Sequence, residues 1–386
     1  GERRTVATLG GPWRQNRLSP NALTLDYAQF SKDGGRTWSV SEPVLAFSDR
    51  AAQSQPYNGP LLVRYPFRAE ALPRNCSLVL EQPEMYASIR VNGRELRFGQ
   101  GEETPGKNTG TTSKKTPGDV SDGEPAGFYL DRAFRTAEIT PLLKKGDNEI
   151  VLALDFRSAV PSSYDADERY GTEIESVYLT GDFAVRGKEV APPLADSWRN
   201  RSPYLQRTAP VNRLTGFVLT DEPAQVEGDM TLQGYPFFAG SMTLEKEFDL
   251  ERTDSAARYF LTFPACEATV IGINVNGTDL SPLFASPWEA DVTPWLRPGS
   301  NKICLTLTNT LRNLLGPHHH KGGEFTEVRP VTFRAGEDVS NTMTGEPVGE
   351  CDWYDARLKG RAALWRDAYH IIPSGLLAAP EIRRER

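Results

Sequence analysis

Short apolar runs in which every second position is hydrophobic recur along the chain, and polar turn residues punctuate them. The clearest are LLVRYPF (61–67), CSLVLE (76–81), NEIVLALDF (148–156), VYLTGDFAV (177–185), SMTLEKEF (241–248), RYFLTF (258–263), TVIGINVNG (269–277) and NKICLTLTN (301–309). A period of two sends alternate side chains to opposite faces, which suits strands with one buried side. Helical periodicity is scarce; ITPLLKKG (139–146) and VTPWLRPG (292–299) read as single turns. Many short strands separated by Gly, Pro, Asn and Asp predict an all-β chain of antiparallel sandwiches with few short helices.

The pattern occurs twice. ASIRVNGREL followed by AEITPLLKKGDNEIVLAL is matched by IGINVNGTDL followed by ADVTPWLRPGSNKICLTL. Asn92-Gly93 corresponds to Asn276-Gly277, a dipeptide suited to a tight hairpin turn. Thr140-Pro141 corresponds to Thr293-Pro294, where Thr suits the cap of a short helical turn and Pro its first position. Gly146 and Asn148 correspond to Gly299 and Asn301, and Ile150, Leu152 and Leu154 to Ile303, Leu305 and Leu307, one inward strand face. The two asparagines are 56 residues apart in the first copy and 25 in the second. A Gly/Thr/Lys-rich segment at 99–127 with almost no apolar residue accounts for most of the excess and reads as a long surface loop. Two tandem domains are expected, 1–190 and 191–386, with the boundary in GKEVAPPLAD (187–196), where two prolines interrupt the strand pattern.

A length of 386 residues suits two domains, and 44 basic against 51 acidic residues give a net charge of −7. That balance argues against a general phosphate-backbone binder, so no nucleic-acid partner is expected. No run approaches the ~18 consecutive apolar residues of a spanning helix, so no membrane partner is expected either. The start, GERRT, lacks the apolar core of a signal peptide and reads as the inner boundary of a longer protein, which leaves the compartment open. Cys76, Cys266, Cys304 and Cys351 form no C-x-x-C pair, and Cys304 reads as a small buried apolar residue. No Walker loop, G-x-G-x-x-G, G-x-S-x-G or H-E-x-x-H occurs.

Candidate chemistry is thin. SKDGGRTW (31–38) fits the Asp-box pattern, a turn device in which Asp33 caps, Gly35 takes the strained conformation and Trp38 packs beneath. His318, His319 and His320 form one cluster, with His370 the remaining histidine; adjacent side chains rarely converge on one ion, so no metal is assigned. A packing or ligand-edge loop, oriented by Arg312 and Asn313, is the preferred reading. Asp165, Asp167, Glu168, Glu173 and Glu175 are carboxylates in loops, where charge is usually solvated. Large aromatic faces are further candidates for ligand contact. Trp13, Trp198, Trp288, Trp295, Trp353 and Trp365 are the large candidates, with Tyr235, Phe237 and Phe238 in GYPFFAG. Roughly two in three should be packing residues, given how buried Trp usually is. Trp295 replaces Leu142 of the first copy and reads as core. Trp288, Tyr235, His318, His319 and Arg312 are the candidate ligand-contacting residues. No catalytic set and no cofactor is assigned; a structural Ca²⁺ has no EF-hand-like loop to support it.

The VNG turn, ITPLLKKGDNEIVL and VTPWLRPGSNKICL resemble the jelly-roll, galactose-binding-like sugar-binding domains of glycoside hydrolase family 2. NALTLDYAQFSKDGG, ESVYLTGDFAV, GYPFFAGSMTLEKEF, LRNLLGPHH and YHIIPSGLL resemble the C-terminal sandwiches of large bacterial glycoside-hydrolase-like proteins, relatives of α-L-rhamnosidases among them. The resemblance implies two jelly rolls accessory to a catalytic barrel of the same polypeptide, and nothing in this chain reads as the eight strand–helix units of that barrel. The resemblance thus implies carbohydrate as a partner, its faces stacking on aromatic rings, with Trp288, Tyr235, His318, His319 and Arg312 as the expected carbohydrate-binding residues, and that catalytic domain as the other, with secretion or a periplasmic location following from the parent protein. An autonomous carbohydrate-binding or adhesion module is the alternative, and a small standalone glycosidase acting through acids between Asp165 and Glu175 the second.

Overall fold

The computed structural model describes residues 3–53, 55–98, 127–160, 163–165, 171–195, 210–316, 318–319 and 367–385. Apart from Gly127, the loop expected at 99–127 lies outside these residues, as do Asp167, Glu168, His320, Cys351, Trp198, Trp353 and Trp365. The protein is an all-β sandwich protein with antiparallel sheets and short helices. Among the described residues no helix is long and apolar enough to cross a membrane.

The chain folds into two compact units that interleave in sequence. Gly1–Thr24, Phe67–Arg74 and Gly181–Arg386 form one; Leu25–Pro66 and Asn75–Thr180 form the other. The units do not meet at a single point near residue 190, and the expected boundary segment is not a linker. Ala184–Ala195 runs through it as one strand, antiparallel to Pro210–Thr220. Register shifts between Arg186 and Lys188, Glu189 and Ala191, and Ala191 and Leu194 let the ladder pass the two prolines, which lack the amide hydrogen a regular ladder needs.

In the first unit a six-stranded sheet has the order Gln225–Val226, Trp13–Arg17, Ser241–Leu250, Gly299–Thr308, Val270–Val275, Thr278–Leu283. A four-stranded sheet has the order Arg3–Thr8, Glu381–Glu385, Arg258–Thr262, Glu289–Asp291. Their inward faces share one core: Met242, Leu244, Ile271, Ile273, Val275, Ile303, Leu305 and Leu307 from the larger sheet, Tyr259, Leu261 and Ile382 from the smaller. Burying each such side chain contributes roughly 1.5–3 kcal/mol. Cys304 is half-buried, because strict alternation in Gly299–Thr308 turns it away from the core between Ile303 and Leu305.

The second unit repeats the plan of two sheets. One carries Asn58–Ala69, Gly146–Arg157, Ser88–Val91 and Arg94–Leu96, with Tyr27–Ser31 paired along residues 62–64. The other carries Phe128–Tyr129, Asp131–Glu138, Cys76–Glu81 and Val177–Gly181. Alternate positions Asn148, Ile150, Leu152, Leu154 and Phe156 are buried. A helix the strand pattern did not predict, Val44–Gln53, buries Val44, Phe47 and Ala51, and Phe47 stacks on Phe30 with ring centroids 4.4 Å apart.

The repeated motif has one construction in both units. Asn92 and Asn276 both sit at φ 50°, followed by Gly93 and Gly277 at 78° and 89°, the left-handed pair of a type I′ hairpin turn. Asn92 Nδ2 donates to Leu142 O (2.9 Å) and Asn148 Oδ1 (2.7 Å); Asn276 Nδ2 donates to Trp295 O (2.8 Å) and Asn301 Oδ1 (2.9 Å). Asn148 and Asn301, 3% and 1% exposed, in turn clasp the backbone of residues 144–146 and 297–299. The matched threonines do not cap their own turns. Thr140 Oγ1 accepts from Cys76 N (2.7 Å) and Thr293 Oγ1 from Tyr259 N (2.8 Å), so each ties its turn to the neighbouring strand.

Candidate functional site

SKDGGRTW is the turn device its pattern predicts. Asp33 accepts from Ser31 Oγ (2.7 Å), Thr37 N (3.0 Å) and Thr37 Oγ1 (2.6 Å), and Gly34 and Gly35 take φ of 73° and 89°. The Thr37 hydroxyl and amide, then the Ser31 hydroxyl, hold the Asp33 carboxyl well below the usual carboxylate range. Trp38 is half-buried with the Arg64 guanidinium 4.0 Å over its ring. The Asp33 carboxylate and the Ser31 and Thr37 hydroxyls are all committed to the turn.

The five residues expected to bind carbohydrate do not share one surface. Tyr235 is buried (1% exposed) with Phe237 and Phe238, and its hydroxyl donates to Glu222 Oε1 at 3.3 Å. Burial, reinforced by the Glu222 charge, pushes the phenol well above its ordinary value and keeps it a donor. His318 and His319 are buried as well. His318 Nε2 lies 2.9 Å from Asn313 O, its carbonyl accepts from His370 N at 2.6 Å, and both rings pack on Tyr369. Asn313 orients this loop as expected, but toward the interior of the first unit: its side chain donates to Ile372 O (2.7 Å) and accepts from Ile372 N (2.9 Å). Trp288 and Trp295 are half-buried and pack against the sandwich core, and Trp13 lies within it at 3% exposure.

Of the expected residues, Arg312 lines an open space. A hollow of about 220 Å³ in the first unit is walled by Glu267, Thr269, Thr310, Arg312 and Ser374, with Ile372 and Pro373 at its side. Asn309 fixes one wall: its Nδ2 donates to Phe238 O (2.9 Å), and Oδ1 accepts from Gly240 N (3.0 Å). Paired backbone bonds between Glu267 and Gly375, 2.9 and 3.0 Å, fix the other. One guanidinium, one carboxylate and three hydroxyls give alternating donors and acceptors, a set that suits hydroxyl-bearing ligands. Arg312 was legible from LRNLLG; Glu267 and Ser374 were not, because nothing local in sequence distinguishes them.

Neither a protein-family model nor a curated protein matches this sequence. Solved structures similar to the chain are those of glycoside hydrolases. A rhamnosidase from Novosphingobium sp. PP1Y is 15% identical, with 85% of this chain and 23% of that chain covered at a TM-score of 0.25. A β-D-mannosidase from Dictyoglomus thermophilum is 14% identical, with 75% and 31% covered at 0.26. A β-glucuronidase from Ruminococcus gnavus is 10% identical, with 76% and 41% covered at 0.27. The chain thus spans about a quarter to two-fifths of the length of these structures.

Proposed function

We propose that this chain is an accessory, non-catalytic β-sandwich region of a glycoside hydrolase, supporting a catalytic barrel of the same polypeptide and touching carbohydrate at the Arg312 hollow. The observation that carries the reading is the repeated motif. The polar residues common to both copies, Asn92 with Asn148 and Asn276 with Asn301, Thr140 and Thr293, are all spent on holding turns and strands together. Such a plan, used twice, builds rigid scaffold rather than a reacting centre, and it is the plan for which the sequence resembles sugar-binding jelly rolls.

The experiment is turnover by the chain itself on a panel of 4-nitrophenyl glycosides. No hydrolysis is expected; sustained release of nitrophenol would overturn the reading in favour of a standalone glycosidase. The hollow favours a binding role over pure scaffolding. On a glycan array, binding that Arg312→Ala weakens supports contact at the hollow, whereas binding abolished only by Trp288→Ala would move it to the loop before Glu289–Asp291.

A further inference from the structure

A second, larger cleft of the first unit lies around a guanidinium that no sequence motif marks. Its volume is about 570 Å³, within the ~300–1,000 Å³ of small-molecule sites. Arg17 forms the floor, its side chain 8% exposed. Its Nη2 donates to Glu222 Oε2 (2.8 Å) and Asp182 Oδ1 (3.0 Å), its Nε donates to Glu222 Oε1, and its Nη1 donates to Ser19 O (2.8 Å). The two carboxylates therefore stand side by side with orientation fixed from below. Each oxygen pair can accept several hydrogen bonds at once, and the two side chains are 20% and 35% exposed where they line the cleft. Asn16, Ser19 and the exposed Arg74 add donors around them, and Leu18, Pro20 and Pro223 supply an apolar wall.

The lining selects a chemical class. Two guanidinium cations and two carboxylates leave the cleft with no formal charge, so neither an anion nor a cation gains from the field as a whole. An apolar ligand would strand the charged groups away from water, at the usual penalty for unpaired polar groups. A neutral ligand with adjacent hydroxyls on one side and C–H groups on the other meets every part of it: hydroxyls donate to Asp182 and Glu222 and accept from Arg74, while the C–H face lies on Leu18, Pro20 and Pro223.

We infer that the cleft over Arg17 is a binding site for a neutral saccharide unit, with Asp182, Glu222 and Arg74 as its hydroxyl-reading residues. The inference rests on the carbohydrate-related reading above but concerns a different set of residues. It is tested on the full chain by saturation-transfer NMR with methyl α-L-rhamnopyranoside, methyl α-D-mannopyranoside and methyl β-D-galactopyranoside as probes. Transfer to at least one glycoside is expected, with affinity falling about tenfold in Asp182→Asn and in Arg74→Ala, the loss of one hydrogen bond to a charged group. Both substitutions sit at the rim, so the fold survives, and unchanged amide dispersion checks that. No transfer to any of the three, or transfer that both variants leave intact, overturns the cleft. Transfer lost in Arg312→Ala and kept in Arg74→Ala also overturns it but upholds the hollow, and nitrophenyl-glycoside turnover would refute the accessory reading whatever the cleft binds.

Discussion

At the scale of single residues, the buried asparagines carry the most structural weight per atom. Asn301 is 1% exposed and makes every hydrogen bond its amide can offer to the 297–299 turn and to Asn276. Asn301→Ala leaves Arg297 N without its acceptor and Asn276 Nδ2 with Trp295 O alone, so a loss of about 3 kcal/mol in urea unfolding is expected. Ser300→Ala, one position away and exposed, should stay within about 0.5 kcal/mol. Glu175 works in the opposite sense. Burial first, and then the charges of Glu81 and Glu173, raise its carboxyl above the ordinary range. A carboxyl raised in the folded state favours the fold while protonated; that contribution is whole below the unfolded value of about 4.3 and is lost as pH rises through the folded value. Glu175→Gln removes the charge that burial disfavours. The variant should match the wild type near pH 4 (about the unfolded value) and exceed it in melting temperature at neutral pH; equal melting temperatures at both would refute the assignment.

At the scale of elements, the same logic explains what could be read from sequence. The hairpins were legible because a type I′ turn admits few dipeptides, and Asn-Gly appears at both. The strands of the repeat were legible because Ile150, Leu152 and Leu154 alternate cleanly. The joints were not. Thr140 reads as a helix cap, yet its hydroxyl reaches Cys76, 64 residues away. The Arg17 cluster joins residues 165 and 205 positions apart, a juxtaposition only topology creates. Strand Arg3–Thr8 stays invisible because almost all of it is exposed, so no alternation marks it. The helix Val44–Gln53 left a faint signal in the spacing of Val44, Phe47 and Ala51. The joint itself can be tested. Thr293→Val keeps the shape and removes the acceptor of Tyr259 N, so a cost of about 1–3 kcal/mol is expected, with Thr293→Ser restoring most of it. A Val variant as stable as the wild type would show that the turn is held by packing alone.

At the scale of the molecule, the interleaved units decide which pieces of the chain can fold alone. A cut near residue 190 would separate the second repeat from Trp13–Arg17, which lies between Gln225–Val226 and Ser241–Leu250 inside the six-stranded sheet, and from Arg3–Thr8, which pairs with Glu381–Glu385. Leu9 and Trp13 would leave the core with them, exposing apolar surface on both sheets. A fragment of residues 181–386 should accordingly give poorly dispersed amide spectra and no cooperative melt. The register places Arg3 opposite Glu385, so a short Gly/Ser linker can carry residues 1–24 on from the end of that fragment without crossing the sandwich. In that permuted chain both missing strands can return to their places. The pairing of Val218 and Leu219 with Arg68 and Ala69, the bonds from Glu70 N and Ala71 N to Leu219 O and the Arg186–Glu70 ion pair remain unmade, because residues 67–74 stay outside the permuted chain; they lie at the end of one ladder, apart from the two returning strands. The permuted fragment should regain dispersed amides and a cooperative transition. If the unpermuted fragment 181–386 already melts cooperatively at the same temperature, the first twenty-four residues are not part of this unit's stable core.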